Sequence, residues 1–299
     1  MEGLRTLSNE LAAAVERASQ AVVGVSGRPR LGSTGVHWRD GFVVTAHHTV
    51  HADEGITVIR PDGRTISATV AGRDPGSDVA VLKVDGLDGP AADIAPAESP
   101  RVGHIVLALG HGPRASWGVV SAIGEGPTRR HGRGDFLSLD LTLYPGFSGG
   151  PLVDVQGRVV GMNTSGGSRR FHLAIPSLIV NRVVDELITR GRVRHAYLGV
   201  GTQAVRLPET LREQLHLDQE TAVIVVDVRS GGPAATAGLL MGDVITSLDG
   251  TPVMDPEDLQ TVLRPERVGQ SIAASIIRGG VPKDVAVVVG ERPQHRRPA

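Results

Sequence analysis

The sequence lacks cysteine entirely and has few aromatic residues, almost no net charge and no long apolar run. Without cysteine there is no disulfide scaffold, no thiolate metal site and no cysteine nucleophile. The formal net charge of −1 at pH 7 gives no long-range attraction to phosphate, so neither nucleic acid nor an anionic membrane is an expected partner. No apolar stretch reaches the ~20 residues of a membrane-spanning helix, so we expect no membrane span.

The N-terminal residues also lack the pattern of a secretory signal. Charges at Glu2, Arg5 and Glu10 interrupt the apolar core that such a signal needs. We therefore expect the chain to stay in the cytoplasm.

Residues 1–20 predict an amphipathic helix. Leu4, Leu7 and Leu11 recur at three- and four-residue spacing, and Ser8 is a suitable N-cap for the turns that follow it. The apolar stripe is expected to pack against the rest of the protein rather than on a membrane.

Glycine and proline are abundant, at 39 and 19 residues, and turn residues break the region 21–175 into short apolar runs. About ten strands at this spacing predict a mainly β fold, either a barrel or a sandwich. Residues 86–103 interrupt the strands with small residues and prolines, and we expect them to join two β halves. The apolar positions Ile179, Val183 and Leu187 then predict a helix that ends at Gly191.

A second domain follows this helix. Its apolar runs mix five strands with two short helical pieces, "PETLREQL" and "PEDLQTVL", which predicts a smaller α+β domain. The predicted organisation is an N-terminal helical segment at 1–20, a β domain at 21–192, an α+β domain at 196–292 and a disordered tail at 293–299.

Three segments supply the groups that nucleophilic serine catalysis needs. His48 follows the strand-like run "VVTA", Asp78 begins "DVAVLKV", and Ser148 stands among glycines in "PGFSGGPL". An imidazole can take the serine proton, a carboxylate can orient the imidazole, and glycines let backbone N–H groups converge on an oxyanion.

A metal site is the competing interpretation of the histidine segment. The run "HHTVH" places His47, His48 and His51 close together. That spacing suits a helix, whereas the run follows a strand, and no fourth ligand is evident. We expect no metal.

The three segments resemble those of the trypsin-like serine peptidases, and most closely the HtrA (DegP-like) branch. There the corresponding segments are similar to "TNNHV", "DLAVLKV" and "NPGNSGGPL". Counted from Thr45, the catalytic histidine is His48, and the resemblance implies a double β-barrel in which Asp78 orients His48 and Ser148 is the nucleophile. It also implies an oxyanion hole formed by the N–H groups of Gly146 and Ser148 with help from Phe147, and no cofactor.

The resemblance extends beyond the barrels. "YLGV" at 197–200 and "GPAATAGLLMGDVITSLDGTPV" at 232–253 are similar to the PDZ domain that follows the protease in this branch. Such a domain binds a peptide C-terminus as an added strand. The resemblance therefore implies that a peptide carboxylate is held by the loop Tyr197, Leu198, Gly199 and Val200.

The function expected from these features is an endopeptidase that degrades unfolded or misfolded proteins. The pocket before the cleaved bond is expected to be lined by Thr142 and residues 163–167, and to accept small or medium aliphatic side chains because no carboxylate is present. The branch is usually trimeric, although no aromatic residue precedes Trp38 to build that contact. Phe147 replaces a small polar residue of the branch, which leaves open an alternative: a weakly active or inactive peptide-binding, chaperone-like protein.

Overall fold

The computed structural model describes residues 2–26, 32–51, 54–96, 100–112, 114–125, 135–165 and 172–293. They form two compact units, and the division falls between Val193 and Arg194. Residues 294–299, which make up most of the predicted disordered tail, lie outside the described residues.

Unit 1 consists of two closed six-stranded antiparallel barrels, so the predicted double β-barrel is confirmed. The first barrel has the strand order β1-β2-β3-β6-β5-β4. Its strands are β1 (Val22–Ser26), β2 (Ser33–Arg39), β3 (Phe42–Ala46), β4 (Ile56–Ile59), β5 (Thr65–Asp74) and β6 (Val79–Lys83).

The second barrel repeats this arrangement with the order β10-β11-β12-β9-β8-β7. Its strands are β7 (Ile105–Gly110), β8 (Arg114–Glu125), β9 (Asp135–Asp140), β10 (Pro151–Val153), β11 (Val159–Thr164) and β12 (His172–Pro176). The segment between β6 and β7 joins the barrels, as expected for residues 86–103. Turn residues separate these strands in the sequence, which is why the pattern of short apolar runs located most of them.

Helix α1 (Glu2–Ser19) lies within the helical segment predicted at 1–20 and begins before Ser8. Ser8 lies inside the helix and does not cap it, because the good helix formers before it extend the same apolar spacing. Only the C-terminal half of α1 packs against the barrels: Ala14 and Ala18 are buried, whereas Leu4 is 76% exposed. Arg17 Nε donates to the Gln156 carbonyl in the turn between β10 and β11, which fixes this half of α1 on the second barrel.

Helix α2 (Ser177–Arg190) confirms the predicted helix and its end. Gly191 adopts φ +70° and donates its N–H to the Leu187 carbonyl, as a left-handed C-cap does. Trp38 Nε1 donates to Asn181 Oδ1 at 2.7 Å, so the helix is tied to β2 of the first barrel.

One apolar cluster lies between the two barrels and holds them together. Side chains from both barrels and both helices are buried in it, which gives the barrels one relative position. Its most buried members are Ala14, Val36, Val44, Ala46, Val79, Val81, Val153, Met162, Val180, Val184 and Leu187. Each barrel also has its own interior cluster.

Unit 2 is the smaller α+β domain that the sequence predicts. Its main sheet has the order β14-β15-β16-β18-β19, and β17 pairs with β16. The strands are β13 (Ala196–Tyr197), β14 (Val200–Arg206), β15 (Thr221–Val228), β16 (Val244–Leu248), β17 (Thr251–Pro252), β18 (Ser271–Arg278), β19 (Val281–Val288) and β20 (Gly290–Glu291). The helices are α3 (Glu209–Leu215), α4 (Pro233–Thr236) and α5 (Pro256–Val262). Across the part of the chain that is described, no helix is both long and apolar enough to cross a bilayer.

Candidate active site

The strand register of the first barrel brings His48 and Asp78 together. Strands β3 and β6 are antiparallel neighbours, and Ala46 pairs with Val79. The residue after β3 therefore faces the residue before β6, and His47 N–H donates to the Asp78 carbonyl at 2.9 Å. The next residue, His48, places Nδ1 2.8 Å from Asp78 Oδ2 and 3.0 Å from Oδ1.

Asp78 is held as an ionised carboxylate. Its Oδ1 also accepts the His48 backbone N–H at 2.9 Å, and its Oδ2 accepts the Thr164 hydroxyl at 2.5 Å. Burial raises the pKa of the Asp78 carboxyl, but the hydrogen bonds from His48 and Thr164 outweigh burial, so the net pKa lies below its ordinary value. The carboxylate thus stays available to orient the imidazole at neutral pH.

The backbone at Asp78 is unusual and is supported by a buried turn. Asp78 has φ +58°, a left-handed conformation that aspartate tolerates better than most residues. Asp74, which is buried, accepts hydrogen bonds from the N–H groups of Gly76 and Ser77 and from the Ser77 hydroxyl. These contacts shape the turn that presents Asp78 to His48.

His47 does not join this pair. It is half-buried, and its Nδ1 is buried without a hydrogen-bond partner among the described residues. Burial lowers the pKa of His47. Within the same described part of the chain, no three His, Asp or Glu side chains are grouped as a metal site would need.

Ser148 lies in the loop that leads into β10 of the second barrel, and this loop touches the first barrel. Gly149 has φ +84°, and a Cβ there would lie 2.2 Å from the Thr34 carbonyl oxygen and 2.4 Å from Thr45 Oγ1. Only glycine allows this approach. Because Gly149 also contacts the backbone of Ala46 at the end of β3, the serine loop lies beside the segment that carries His48.

The hydroxyl of Ser148 is hydrogen-bonded to a second serine. Ser148 Oγ and Ser165 Oγ are 2.8 Å apart, and either can be the donor. Ser165 directly follows Thr164, whose hydroxyl bonds Asp78. The end of β11 thus contacts both the carboxylate and the serine that the sequence singled out.

Two backbone N–H groups in the serine loop are available for an anion. Among the described residues, no acceptor pairs with the N–H groups of Gly146 and Ser148. The N–H of Phe147 donates instead to the Tyr144 carbonyl at 3.0 Å. The expected contribution of Phe147 to the oxyanion hole is therefore wrong, because its only N–H closes a turn within the loop.

The Phe147 side chain anchors the loop in the second barrel. It is fully buried in the interior cluster of that barrel and makes an edge-to-face contact with Tyr144 at 5.6 Å. A Cβ at Gly110 would lie 2.5 Å from the Phe147 ring, so only glycine fits there. The guanidinium of Arg114 lies over the ring, 5.8 Å from its centroid.

The predicted substrate pocket is only partly described, since residues 166 and 167 lie outside the described residues. The Asn163 Nδ2 group is buried and donates to the Pro151 carbonyl, and the Thr164 hydroxyl bonds Asp78. Both side chains therefore support the loop and the carboxylate instead of facing a substrate. The N–H of Thr142 donates to Ser116 Oγ at 3.3 Å.

In unit 2, the segment from Tyr197 to Val200 runs from β13 into β14. Gly199 has φ +84°, and its carbonyl accepts the Arg229 N–H, while the Leu198 carbonyl accepts the Ala234 N–H, both at 2.8 Å. The N–H groups of Leu198 and Gly199 have no acceptor among the described residues.

A groove starts at this loop. Strand β14 is at the edge of the main sheet, and α5 lies against it. Leu198, Leu259 and Val262 are buried in the core cluster of unit 2, and Val200 packs against this cluster. An edge strand beside a helix is the arrangement in which an extended peptide can pair as an additional strand.

Sequence reasoning missed three residues of the site. Thr164 and Ser165 belong to a segment that was assigned only to a pocket wall, and Arg114 was not identified at all. The pattern gave no signal for them, because their partners are 86, 17 and 31 residues away in the chain.

Comparison with known proteins agrees with this geometry. The family described as "Trypsin-like peptidase domain" matches residues 33–162, and the family described as "PDZ domain" matches residues 196–289. Probable periplasmic serine endoproteases DegP-like from Rhizobium meliloti and from Pseudomonas fulva are each 36% identical, over 89% and 90% of this chain. The chain spans only 54% and 58% of these relatives' own lengths.

Solved structures match over their whole length. The HtrA-type protease AlgW with tripeptide is 33% identical with a TM-score of 0.81, covering 95% of this chain and 98% of that one. The serine endoprotease from Yersinia pestis is 30% identical with a TM-score of 0.77, covering 94% and 97%.

The relatives' names also correct one expectation. They are called periplasmic, which overturns the cytoplasmic location that we expected from the N-terminal residues. That expectation relied on the lack of a signal pattern, and such a lack does not identify a compartment. The double barrel, the second domain and their full-length match to solved structures lead to one conclusion: this chain belongs to the HtrA-type family of trypsin-like serine proteases with a PDZ domain.

Proposed function

We propose that the protein is a serine endopeptidase of the periplasm. The observation that carries this proposal is the His48–Asp78 pair, held by two hydrogen bonds beside the loop of Ser148. The same kind of activity is named for the relatives with which the chain shares its family.

The proposed reaction begins when His48 Nε2 takes the Ser148 proton and Ser148 Oγ attacks the scissile carbonyl carbon. Asp78 holds Nδ1–H of His48 and stabilises the imidazolium that forms. The oxyanion is bound by the N–H groups of Gly146 and Ser148. His48 then protonates the leaving amine, the peptide C–N bond breaks, and water later hydrolyses the Ser148 ester with His48 as base.

The resting hydrogen bond to Ser165 blocks this step when Ser148 is its donor. Ser148 Oγ cannot present its proton to His48 while that proton is donated to Ser165, so we expect a rotation of the Ser148 side chain when substrate binds. The movement costs one hydrogen bond, about 1 kcal/mol. It does not require movement of the barrels.

For substrates, we propose unfolded or misfolded proteins, with peptide C-termini bound in the groove of unit 2. The N–H groups of Leu198 and Gly199, which have no acceptor among the described residues, can donate to a terminal carboxylate, while Tyr197 and Val200 flank them. A homotrimer stays a prediction, which sedimentation tests: a single species near the monomer mass of 31.3 kDa would contradict it.

The test of the activity is labelling by a fluorophosphonate probe together with cleavage of casein. We expect wild type to label and cleave, and Ser148→Ala to do neither. Ser271→Ala is the matched control, because Ser271 is exposed on β18 of unit 2. If wild type fails to label even with peptides that fill the groove, the endopeptidase proposal is wrong and peptide binding alone becomes the function.

A further inference from the structure

Thr34, on β2 of the first barrel, holds the serine loop of the second barrel at two points. Its Oγ1 is 2.6 Å from the Gly146 carbonyl oxygen, and its N–H donates to the Ser148 carbonyl at 3.2 Å. The Thr34 side chain is fully buried. Its own carbonyl is held in turn by the Thr45 hydroxyl at 2.7 Å.

The direction of each hydrogen bond at the Thr34 hydroxyl is fixed by its partners. The Gly146 carbonyl can only accept, so the single hydroxyl proton must be donated to it. The backbone N–H of His111 can only donate, and it lies 2.8 Å from the same oxygen. The hydroxyl thus donates one hydrogen bond and accepts one, and valine, its apolar near-isostere, would remove both from the backbone groups that make them.

Two further contacts fix the peptide planes that carry the free N–H groups. In a planar trans peptide, the C=O and the following N–H point to opposite sides. Gly150 N–H holds the Phe147 carbonyl at 2.9 Å, which sets the direction of the Ser148 N–H. Arg114 Nη1 approaches the Pro145 carbonyl at 3.4 Å, which sets the direction of the Gly146 N–H.

Arg114 is itself positioned by several contacts. Its Nε and Nη2 donate to the His111 carbonyl at 3.1 and 3.0 Å, and its guanidinium lies over the Phe147 ring. His111 therefore links Thr34 and Arg114, since its N–H donates to the Thr34 hydroxyl and its carbonyl accepts from Arg114.

We propose that Thr34 and Arg114 are positioning residues for the oxyanion hole, acting from the two barrels on either side of the loop. Neither residue touches the reacting atoms. Thr34 holds the Gly146 and Ser148 carbonyls against the first barrel. Arg114 holds the Pro145 carbonyl, so that the Gly146 N–H of the same peptide points to the side opposite Arg114. This inference rests on the proposed endopeptidase function.

The experiment measures kcat and KM on a peptide substrate for Thr34→Val, Thr34→Ser and Arg114→Met. Losing one oxyanion donor typically lowers kcat by about 10² to 10³. We expect Thr34→Val to lower kcat by about 10², with KM nearly unchanged, and Thr34→Ser to restore most of it because serine keeps the hydroxyl. Arg114→Met keeps an unbranched side chain of similar reach but loses the donors, and we expect kcat to fall about tenfold.

The matched control is Thr246→Val in unit 2. Thr246 is also buried, and its hydroxyl also donates to a backbone carbonyl, that of Ser275 at 3.1 Å. It should leave kcat at the wild-type value. The pH profile of kcat/KM should be the same in all variants, because the His48–Asp78 pair is untouched.

The outcomes separate the two proposals. An inactive wild type contradicts the proposed function, whereas an active wild type with unchanged kcat in Thr34→Val and Arg114→Met overturns the positioning role. A KM increase without a kcat decrease, or a shifted pH profile, also overturns it. If Thr34→Val does not fold, the kcat of Arg114→Met tests the positioning role, because Arg114 is exposed and its substitution does not disturb a buried site.

Discussion

The serine loop and the groove loop each contain a glycine with positive φ beside N–H groups that have no acceptor among the described residues, and the two loops are supported in different ways. The serine loop, with Gly146 at φ +90°, is held by backbone hydrogen bonds and also by side chains of Thr34 and Arg114 that are distant in the sequence. The groove loop, with Gly199 at φ +84°, is held by backbone hydrogen bonds from Arg229 and Ala234.

This difference predicts different sensitivity to substitution. Where side chains from two barrels hold a loop, single substitutions far from the chemistry can displace the N–H groups. Where only backbone groups hold it, most side-chain changes are tolerated and the glycine itself is the sensitive position.

The largest effect is expected for Asp78→Asn. Asparagine tolerates the left-handed backbone at this position, but it cannot hold the required tautomer of His48, so kcat should fall about 10⁴-fold. The value of kcat is measured from the rate of cleavage of a peptide substrate at saturating concentration. Asp249→Asn, at another positive φ in unit 2, is the control and should retain full activity. A loss below tenfold at Asp78 would show that the carboxylate does not orient the base.

Gly110→Ala is expected to lower kcat by about 10² without touching any proposed catalytic group. The new Cβ would lie 2.5 Å from the Phe147 ring, so the ring and the loop it anchors must shift. Binding of a peptide C-terminus in the groove of unit 2, measured by fluorescence polarisation, should not change. An unchanged kcat would mean that the loop is set independently of Phe147.

Gly199→Ala is expected to weaken binding of a peptide C-terminus about tenfold. A side chain at φ +84° costs about 1–2 kcal/mol, and the new Cβ would also lie 3.3 Å from the Tyr197 ring. Gly250→Ala is the control, because it has φ +74° in the same unit and open space around it. Equal affinity in both variants would separate the loop from the binding site.

Ser165→Ala is expected to increase the rate of fluorophosphonate labelling by up to about fivefold. The change removes the hydrogen bond that holds the Ser148 hydroxyl at rest, worth about 1 kcal/mol. The labelling rate at subsaturating probe concentration measures this. A slower rate would show instead that Ser165 helps to orient the nucleophile.

Much of this architecture could be predicted from the sequence because its signals are local. Short apolar runs between turns located the strands, and Gly191 marked the end of α2, since only a few residues determine each of these features. The N-cap role suggested for Ser8 was wrong, because the helix-forming residues before it continue the helix. The role assigned to the Phe147 N–H failed because a turn bond to Tyr144 leaves no sign in the sequence.

Three features can be read from the residues alone: the order of His48, Asp78 and Ser148, the glycines that let the serine loop approach another strand, and the division into a β domain and an α+β domain. The tertiary structure alone decided that β3 and β6 place His48 beside Asp78, that Thr34 and Arg114 hold the serine loop, and that Ser165 pairs with Ser148. The reason is physical: strands and turns form from neighbours in the chain, whereas these contacts exist only after each barrel closes and the cluster between the barrels is buried.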